Sequence, residues 1–243
     1  MDVAAGIAWP DVAAPVFFAL CWVGYSWWAD SGPGYPRSLM ARADGLRLAW
    51  MRAMLGRDTR IVDVQVVQVL VQAIAFFASS AVLIVGGCLA VLGARDEAMR
   101  VVAQIPFAAH SPPVVWEAKV TLLAVVFVYA FFKFTWALRQ YNYVSLLIGA
   151  APPWTEAGTD AAQEFATRAG GFANRAADNF NKAMRSYYFG TAALAWLVHP
   201  CLLVLLTASV VVVVYRREFR SRGVALLAGL APPASADGRR APG

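Results

Sequence analysis

The residues Lys133-Phe-Thr-Trp-Ala-Leu-Arg-Gln-Tyr-Asn-Tyr143 put two cations, two amides and several aromatics at the end of a long apolar run. Cations backed by amide and phenol donors suit an anion. Lys133, Arg139, Gln140, Asn142 and Tyr143, joined later by Arg185, therefore form a candidate cytosolic vestibule for an anionic solute or lipid headgroup. A second set, Gln65, Gln68, Gln72 and Ser79, falls within about 80° on a helical wheel, with Asp63 on the opposite side. Amides and small residues in that pattern either line a polar passage or form a seam between packed helices. The third candidate is His199-Pro200, inside an apolar run. A proline there removes a helical hydrogen bond and kinks the helix, which sets a titratable imidazole at membrane depth. That imidazole either has a function or is satisfied by a neighbouring carbonyl.

Other chemistry is sparse. The chain has no H-E-x-x-H, P-loop or G-x-S-x-G pattern, so no catalytic residue is assigned. Cys21, Cys88 and Cys201 each lie in an apolar run, and the two histidines, His110 and His199, are far apart. Neither set suggests a disulfide framework, a metal site or a haem, and no cofactor is expected. Acidic residues are rare in the apolar runs, which argues against a proton pump.

The elements that must position these residues are membrane helices. The mean hydropathy is +0.55, with 60% hydrophobic and only 15% charged residues, whereas soluble domains carry about 25% charged residues. The formal net charge of +6 then reads as orientation by cationic loops rather than nucleic-acid binding. The fold class expected is an all-α, four-span bundle. Its spans lie at about residues 10–28, 73–93, 114–134 and 194–215, from the ~20 apolar residues that cross a bilayer.

Residues 37–72 and 135–190 are expected as cytosolic helical segments, and 223–243 as a disordered tail. The first segment contains a helix from Arg37 to Leu55 whose Leu39, Leu46, Trp50 and Met54 share a face and lie under the headgroups. In the second, Phe165, Ala169, Phe172, Ala176 and Ala183 form a docking stripe, with Gly170-Gly171 a candidate break. Lys119 and Lys133 are about 21 Å apart along a helix, and both are expected to snorkel to headgroups. The start of the chain carries Asp2 and Asp11 but no cation, so the first run reads as a retained span with its N-terminus outside.

The tail, with Arg216-Arg-Glu-Phe-Arg-Ser-Arg222, creates a conflict. Four full spans, the primary expectation, leave nine cations outside, six of them in the tail. A re-entrant fourth segment hinged at His199-Pro200 would return them inside, if its irregular backbone is buried in protein.

Several strings form a known pattern: Arg60-Ile-Val-Asp63, Phe76-Phe-Ala-Ser79, Pro106-Phe-Ala108, Lys133 to Tyr143, Ile148-Gly-Ala-Ala-Pro152, Phe180-Asn181, Arg185-Ser-Tyr-Tyr188 and Tyr215-Arg-Arg-Glu-Phe-Arg220. Together the chain resembles an uncharacterised bacterial and plant membrane family, domain of unknown function 599, from the first run to Arg222. The resemblance implies a multi-pass protein of the bacterial inner (plasma) membrane and carries no activity. Two functional classes follow: a homo-oligomeric channel or small transporter for an anionic solute or lipid headgroup, and a non-catalytic membrane scaffold binding anionic lipid.

Overall fold

A computed structural model of the chain describes residues 8–109 and 111–228. His110 and residues 229–243 of the expected tail lie outside the described residues. Among those described there is no strand. The helices are α1 (Trp9–Asp30), α2 (Leu39–Leu55), α3 (Ile61–Gly93), α4 (Arg95–Ala103), α5 (Pro113–Gly149), α6 (Asp160–Leu194), α7 (Pro200–Phe219) and α8 (Arg222–Ala228). Four segments are long and apolar enough to cross a membrane: Trp9–Asp30, Ile61–Gly93, Pro113–Gly149 and Pro200–Leu227.

Most boundaries follow from local chemistry. Ser38 caps α2, its hydroxyl accepting the Ala41 N–H at 3.1 Å. Gly149 and Pro152-Pro153 end α5, and the Arg60 guanidinium donates to the carbonyls of Ala151, at 2.8 Å, and Pro152 just beyond it. This contact joins two of the family-like strings, Arg60–Asp63 and Ile148–Pro152.

The chain divides into two compact units, and α3, α5 and α6 contribute residues to both. The first comprises Met1–Trp28, Ala78–Phe132 and Lys182–Tyr215. It contains five helical segments: α1, the second part of α3, the first part of α5, the last part of α6, and α7. At one end Trp196 and Lys119 meet Asp11 at the start of α1. At the other, Trp28 meets Tyr215, with ring centroids 6.1 Å apart. The core between is aromatic: Phe18 is fully buried edge-on to Phe189 at 5.8 Å, and Trp22 is edge-on to Tyr129 at 5.5 Å.

The second unit comprises Ala29–Phe77, Lys133–Asn181 and Arg216–Gly243. Its hub is the α6 stripe Ala162, Ala166, Ala169, Ala173 and Ala176, every one fully buried. This corrects the expected docking stripe. Phe165 is only half-buried and Phe172 is 39% exposed, because small side chains let helices approach closely where bulky ones hold them apart. Nor does Gly170-Gly171 break α6. A Cβ on Gly170 would sit 3.2 Å from Leu48 Cα, so that glycine permits the contact with α2. Of the α2 face expected under the headgroups, Met54 is fully buried in protein, as are Met51 and Leu55 beside it, and Leu39, Leu46 and Trp50 are half-buried.

The largest difference from expectation lies at His199-Pro200. The helix does not kink through this point; it ends. Leu194 closes α6, Ala195–Leu197 form a 3-10 turn, and Pro200 starts α7. A proline at the first helical position costs nothing, because its missing N–H would have had no partner there. His199 acts as a cap, its Nδ1 accepting the Cys201 N–H at 3.1 Å, and the Val198 carbonyl accepts the Ala109 N–H at 2.8 Å. The last part of α6 and α7 therefore form an antiparallel hairpin. The tail expected from Gly223 also begins as helix, with the Arg42 guanidinium donating to the Val224 carbonyl of α8 at 3.0 Å.

Candidate functional site

Within the second unit, the residues expected to form a vestibule turn to different sides of α5. In α5 Gln140 is buried, and its Oε1 accepts the Asn179 side-chain N–H of α6 at 2.9 Å. Lys133 donates to Asn179 Oδ1 at 3.5 Å. Arg139 points elsewhere, stacked 5.6 Å from the Trp136 ring and 5.9 Å from that of Tyr143, on an exposed face. Asn142 is exposed as well. Arg185 belongs to the first unit, where it is buried with its guanidinium 5.3 Å over the Tyr25 ring.

The polar groups of the Lys133–Tyr143 stretch thus split between a helix–helix lock and an exposed aromatic face. Beside the lock, Phe134 stacks on Phe77 at 5.8 Å and 15°, and Phe180 packs against both. Three more of the family-like strings meet here.

Gln65, Gln68, Gln72 and Ser79 are all exposed, on the side of α3 away from the core. They line no passage and seal no seam within the chain. Asp63, on the opposite side, is 1% exposed, pairs with Arg57 and accepts the Trp50 indole N–H at 2.7 Å. That lock fixes α2 to the start of α3.

A second polar lock in this unit went unread in the sequence. Asp44, buried in α2, accepts from the Tyr35 hydroxyl and pairs with Arg47 at 2.9 Å. Asn174 donates to the Asp44 carbonyl at 3.5 Å. Burial pushes the Asp44 carboxyl up to about 6, against the opposing pull of Arg47. Arginines spaced every five residues scatter around a helix, so only the partners reveal which ones are inward.

The strongest charge cluster was also missed. Lys119 does not snorkel: its side chain is fully buried, 3.6 Å from Asp11 and 2.7 Å from Ser111 Oγ, with the Trp196 ring at 5.8 Å. Trp196 also donates its indole N–H to Asp11 at 3.2 Å. Four chain segments are pinned at one end of the first unit, with a compensated ion pair in place of two isolated charges. The available signal was that Asp11 and Lys119 each stand near the start of an apolar run. Beside this cluster is an open cavity of about 470 Å³ lined by Ala94, Val101, Trp116 and Leu197, with Glu97 its one charged residue. Such a lining suits hydrocarbon.

No group of three or more His, Cys, Asp or Glu is arranged to hold a metal among the described residues. The clusters found are neutral or charge-compensated helix locks, and none presents a nucleophile beside a base. The chain belongs to the family of proteins of unknown function DUF599, whose profile matches residues 12–223. No curated protein and no solved structure matches it.

Proposed function

We propose that the protein is a non-catalytic membrane scaffold whose cationic segments rest on anionic lipid on the inner side of a bacterial plasma membrane. The observation that carries this reading is the fate of the polar residues. Gln140 with Asn179, Asp63 with Arg57, and Asp44 with Tyr35 pair across helices or turns instead of facing a common space. A conduit needs a lining of groups left available to a solute, whereas a scaffold uses the same groups to fix helix positions.

The topology we infer has five crossings. The helical segments of the first unit run from 13 residues at the end of α6, which the Ala195–Leu197 turn lengthens, to 20 in α1 and α5, or about 20–30 Å against a hydrocarbon core of ~30 Å. Trp9 and Trp27, exposed on α1, are about 27 Å apart along the helix axis and suit the two interfaces. The α6–α7 hairpin adds a crossing that hydropathy does not register, because Lys182 and Arg185 interrupt its apolar run. With the N-terminus outside, the chain leaves after Trp28 and after Tyr215 on the same, inner side. Eighteen of the 21 Lys and Arg residues then lie inside and three outside, the imbalance that the positive-inside rule favours. Arg52, Arg216 and Arg222 are exposed and available to lipid phosphates.

A homo-oligomeric channel for an anionic solute is the second reading. Its support is the outward-facing Gln65, Gln68 and Gln72, since a pore would have to lie between copies. Reconstitution separates the two. A scaffold in vesicles of phosphatidylglycerol and phosphatidylcholine shows no chloride or phosphate flux above empty vesicles, and keeps phosphatidylglycerol preferentially through detergent exchange. Anion flux that disappears in Gln72→Leu would replace the scaffold with the channel.

A further inference from the structure

One face of α3 is exposed in a regular way. Val62, Val69, Phe76 and Leu83 recur every seven residues and are 64%, 65%, 68% and 76% exposed. Three positions after each come Gln65, Gln72, Ser79 and Gly86, all exposed too. The opposite row, again at sevens, is Val67, Ile74, Ala81 and Cys88, at 0%, 2%, 0% and 4% exposure. The buried row packs the chain's own core. The exposed rows have the a and d spacing of a coiled coil, sustained over four heptads.

We propose that this face docks against α3 of a second copy of the chain, as a parallel, in-register helix pair. Three observations select that occupant. First, α3 is 33 residues long, or about 50 Å against the ~30 Å of a hydrocarbon core. Lipid cannot cover the whole apolar row, and a helix running the same length can.

Second, the polar members of the seam are neutral amides. Copies inserted in one membrane share one orientation, so symmetry about an axis normal to the membrane brings each residue against its own counterpart. Like charges would repel there, whereas a glutamine is donor and acceptor at once and pairs with itself. The amides of Gln65, Gln68 and Gln72 have no hydrogen-bond partner among the described residues. The one charge on α3, Asp63, lies on the buried side.

Third, the seam narrows along its length. Ser79 and Gly86 follow the two glutamines, and a Cβ on Gly86 would meet nothing within 4 Å. Small residues at that spacing let two membrane helices approach closely. The amides set register at one end, and the small residues allow contact at the other.

This inference deepens the scaffold reading by naming its partner, and it rests on that reading only for the shared membrane orientation. Its test is cysteine cross-linking in native membranes, with the full chain carrying Cys21→Ala, Cys88→Ala and Cys201→Ala. Gln65→Cys, Gln72→Cys and Ser79→Cys are expected to give a disulfide-linked dimer on mild oxidation. Val64→Cys and Leu70→Cys, exposed but off the seam, are expected to give at least tenfold less. Equal yields at both sets, or more at the controls, overturn the proposal.

A second arm does not depend on oxidation. Gln72→Lys and Gln72→Glu are each expected to lose self-association measured by co-purification of two differently tagged copies. Expressed together, they are expected to recover it as a mixed pair. Full association of Gln72→Lys alone overturns the seam. Flux in vesicles with the cross-links intact would instead overturn the scaffold and leave the seam standing.

Discussion

Three glycines in α6 make a matched test of the packing. An alanine in place of glycine inside a helix contributes about 1 kcal/mol of intrinsic stability, and what differs is the space its Cβ enters. At Gly171 nothing lies within 4 Å, so Gly171→Ala should stabilise by about 0.5–1 kcal/mol. At Gly170 the Cβ meets Leu48 Cα at 3.2 Å, and α2 must shift. Overpacking of that kind costs about 1–3 kcal/mol, which outweighs the propensity gain. At Gly190 the Cβ falls 2.7 Å from Phe127 Cε2 and 2.8 Å from Cζ. That ring is 3% exposed and edge-on to Tyr187 at 5.0 Å, so it cannot swing aside, and Gly190→Ala should lose about 2 kcal/mol net. At about 2–4 °C per kcal/mol for a chain of this size, thermal unfolding in detergent should rank Gly171→Ala above wild type, then Gly170→Ala, then Gly190→Ala. Adding Phe127→Leu to Gly190→Ala removes the colliding ring atoms. The pair should then be less damaging than the sum of its parts by at least about 1 kcal/mol. A Gly190→Ala protein as stable as Gly171→Ala would refute the close approach of α6 and α5.

The remaining predictions are more local. Lys119→Met alone should lose about 3 kcal/mol or more, because it leaves the Asp11 carboxylate buried without its cation. Combined with Asp11→Asn it should recover most of that loss, as read by unfolding temperature. Asp44 predicts a pH dependence with a definite sign. Its carboxyl is raised from 3.8 to about 6 in the fold, so the folded state binds the extra proton between those values. The contribution is fully present below about 4 and is lost as pH rises through 6, on the order of 2 kcal/mol. Unfolding temperatures of wild type and Asp44→Asn should converge near pH 4 and diverge toward pH 7.5 with the variant higher; parallel curves would refute the burial. For the five-crossing topology, a fluorescent protein fused after Gly243 should be bright, and an alkaline phosphatase fused there inactive. The reverse pattern would restore four spans.

Much of the helical layout was legible because hydropathy and helix punctuation are local. Four apolar runs, the stop at Gly149 to Pro153, and the opposition of Asp63 to the glutamine row all follow from counting along the chain. The hairpin at Ala195–Leu197 was not legible, for a physical reason. His199-Pro200 is compatible with a kink or with a fresh helix start, since proline is costly inside a helix and harmless at its first position. What decides is the Ala109 N–H reaching the Val198 carbonyl and the Trp196 indole reaching Asp11. Both partners are far away in sequence. The tail's charge is the one local sign, because it fits the positive-inside rule poorly under four spans and well under the five crossings proposed above.

The candidate site divides between two faces for a related reason. A mixed polar and aromatic string such as Lys133 to Tyr143 looks like a receptor when taken as one cluster, but a helix distributes it around an axis. Gln140 turns inward to Asn179, whereas Arg139, one residue earlier, turns out onto Trp136 and Tyr143. The glutamines of α3 show the converse. Their spacing correctly put them on one face, yet a wheel cannot say whether that face is inside. Burial of Val67, Ile74, Ala81 and Cys88 settles that it is outside. An amide row on the outside of α3 can pair with the same row on the second copy proposed above, because a glutamine is donor and acceptor at once. That face gives the family-like string Phe76-Phe-Ala-Ser79 two jobs on one helix. Phe77 stacks inward on Phe134, while Phe76 and Ser79 are exposed, on the face where the proposed second copy would dock.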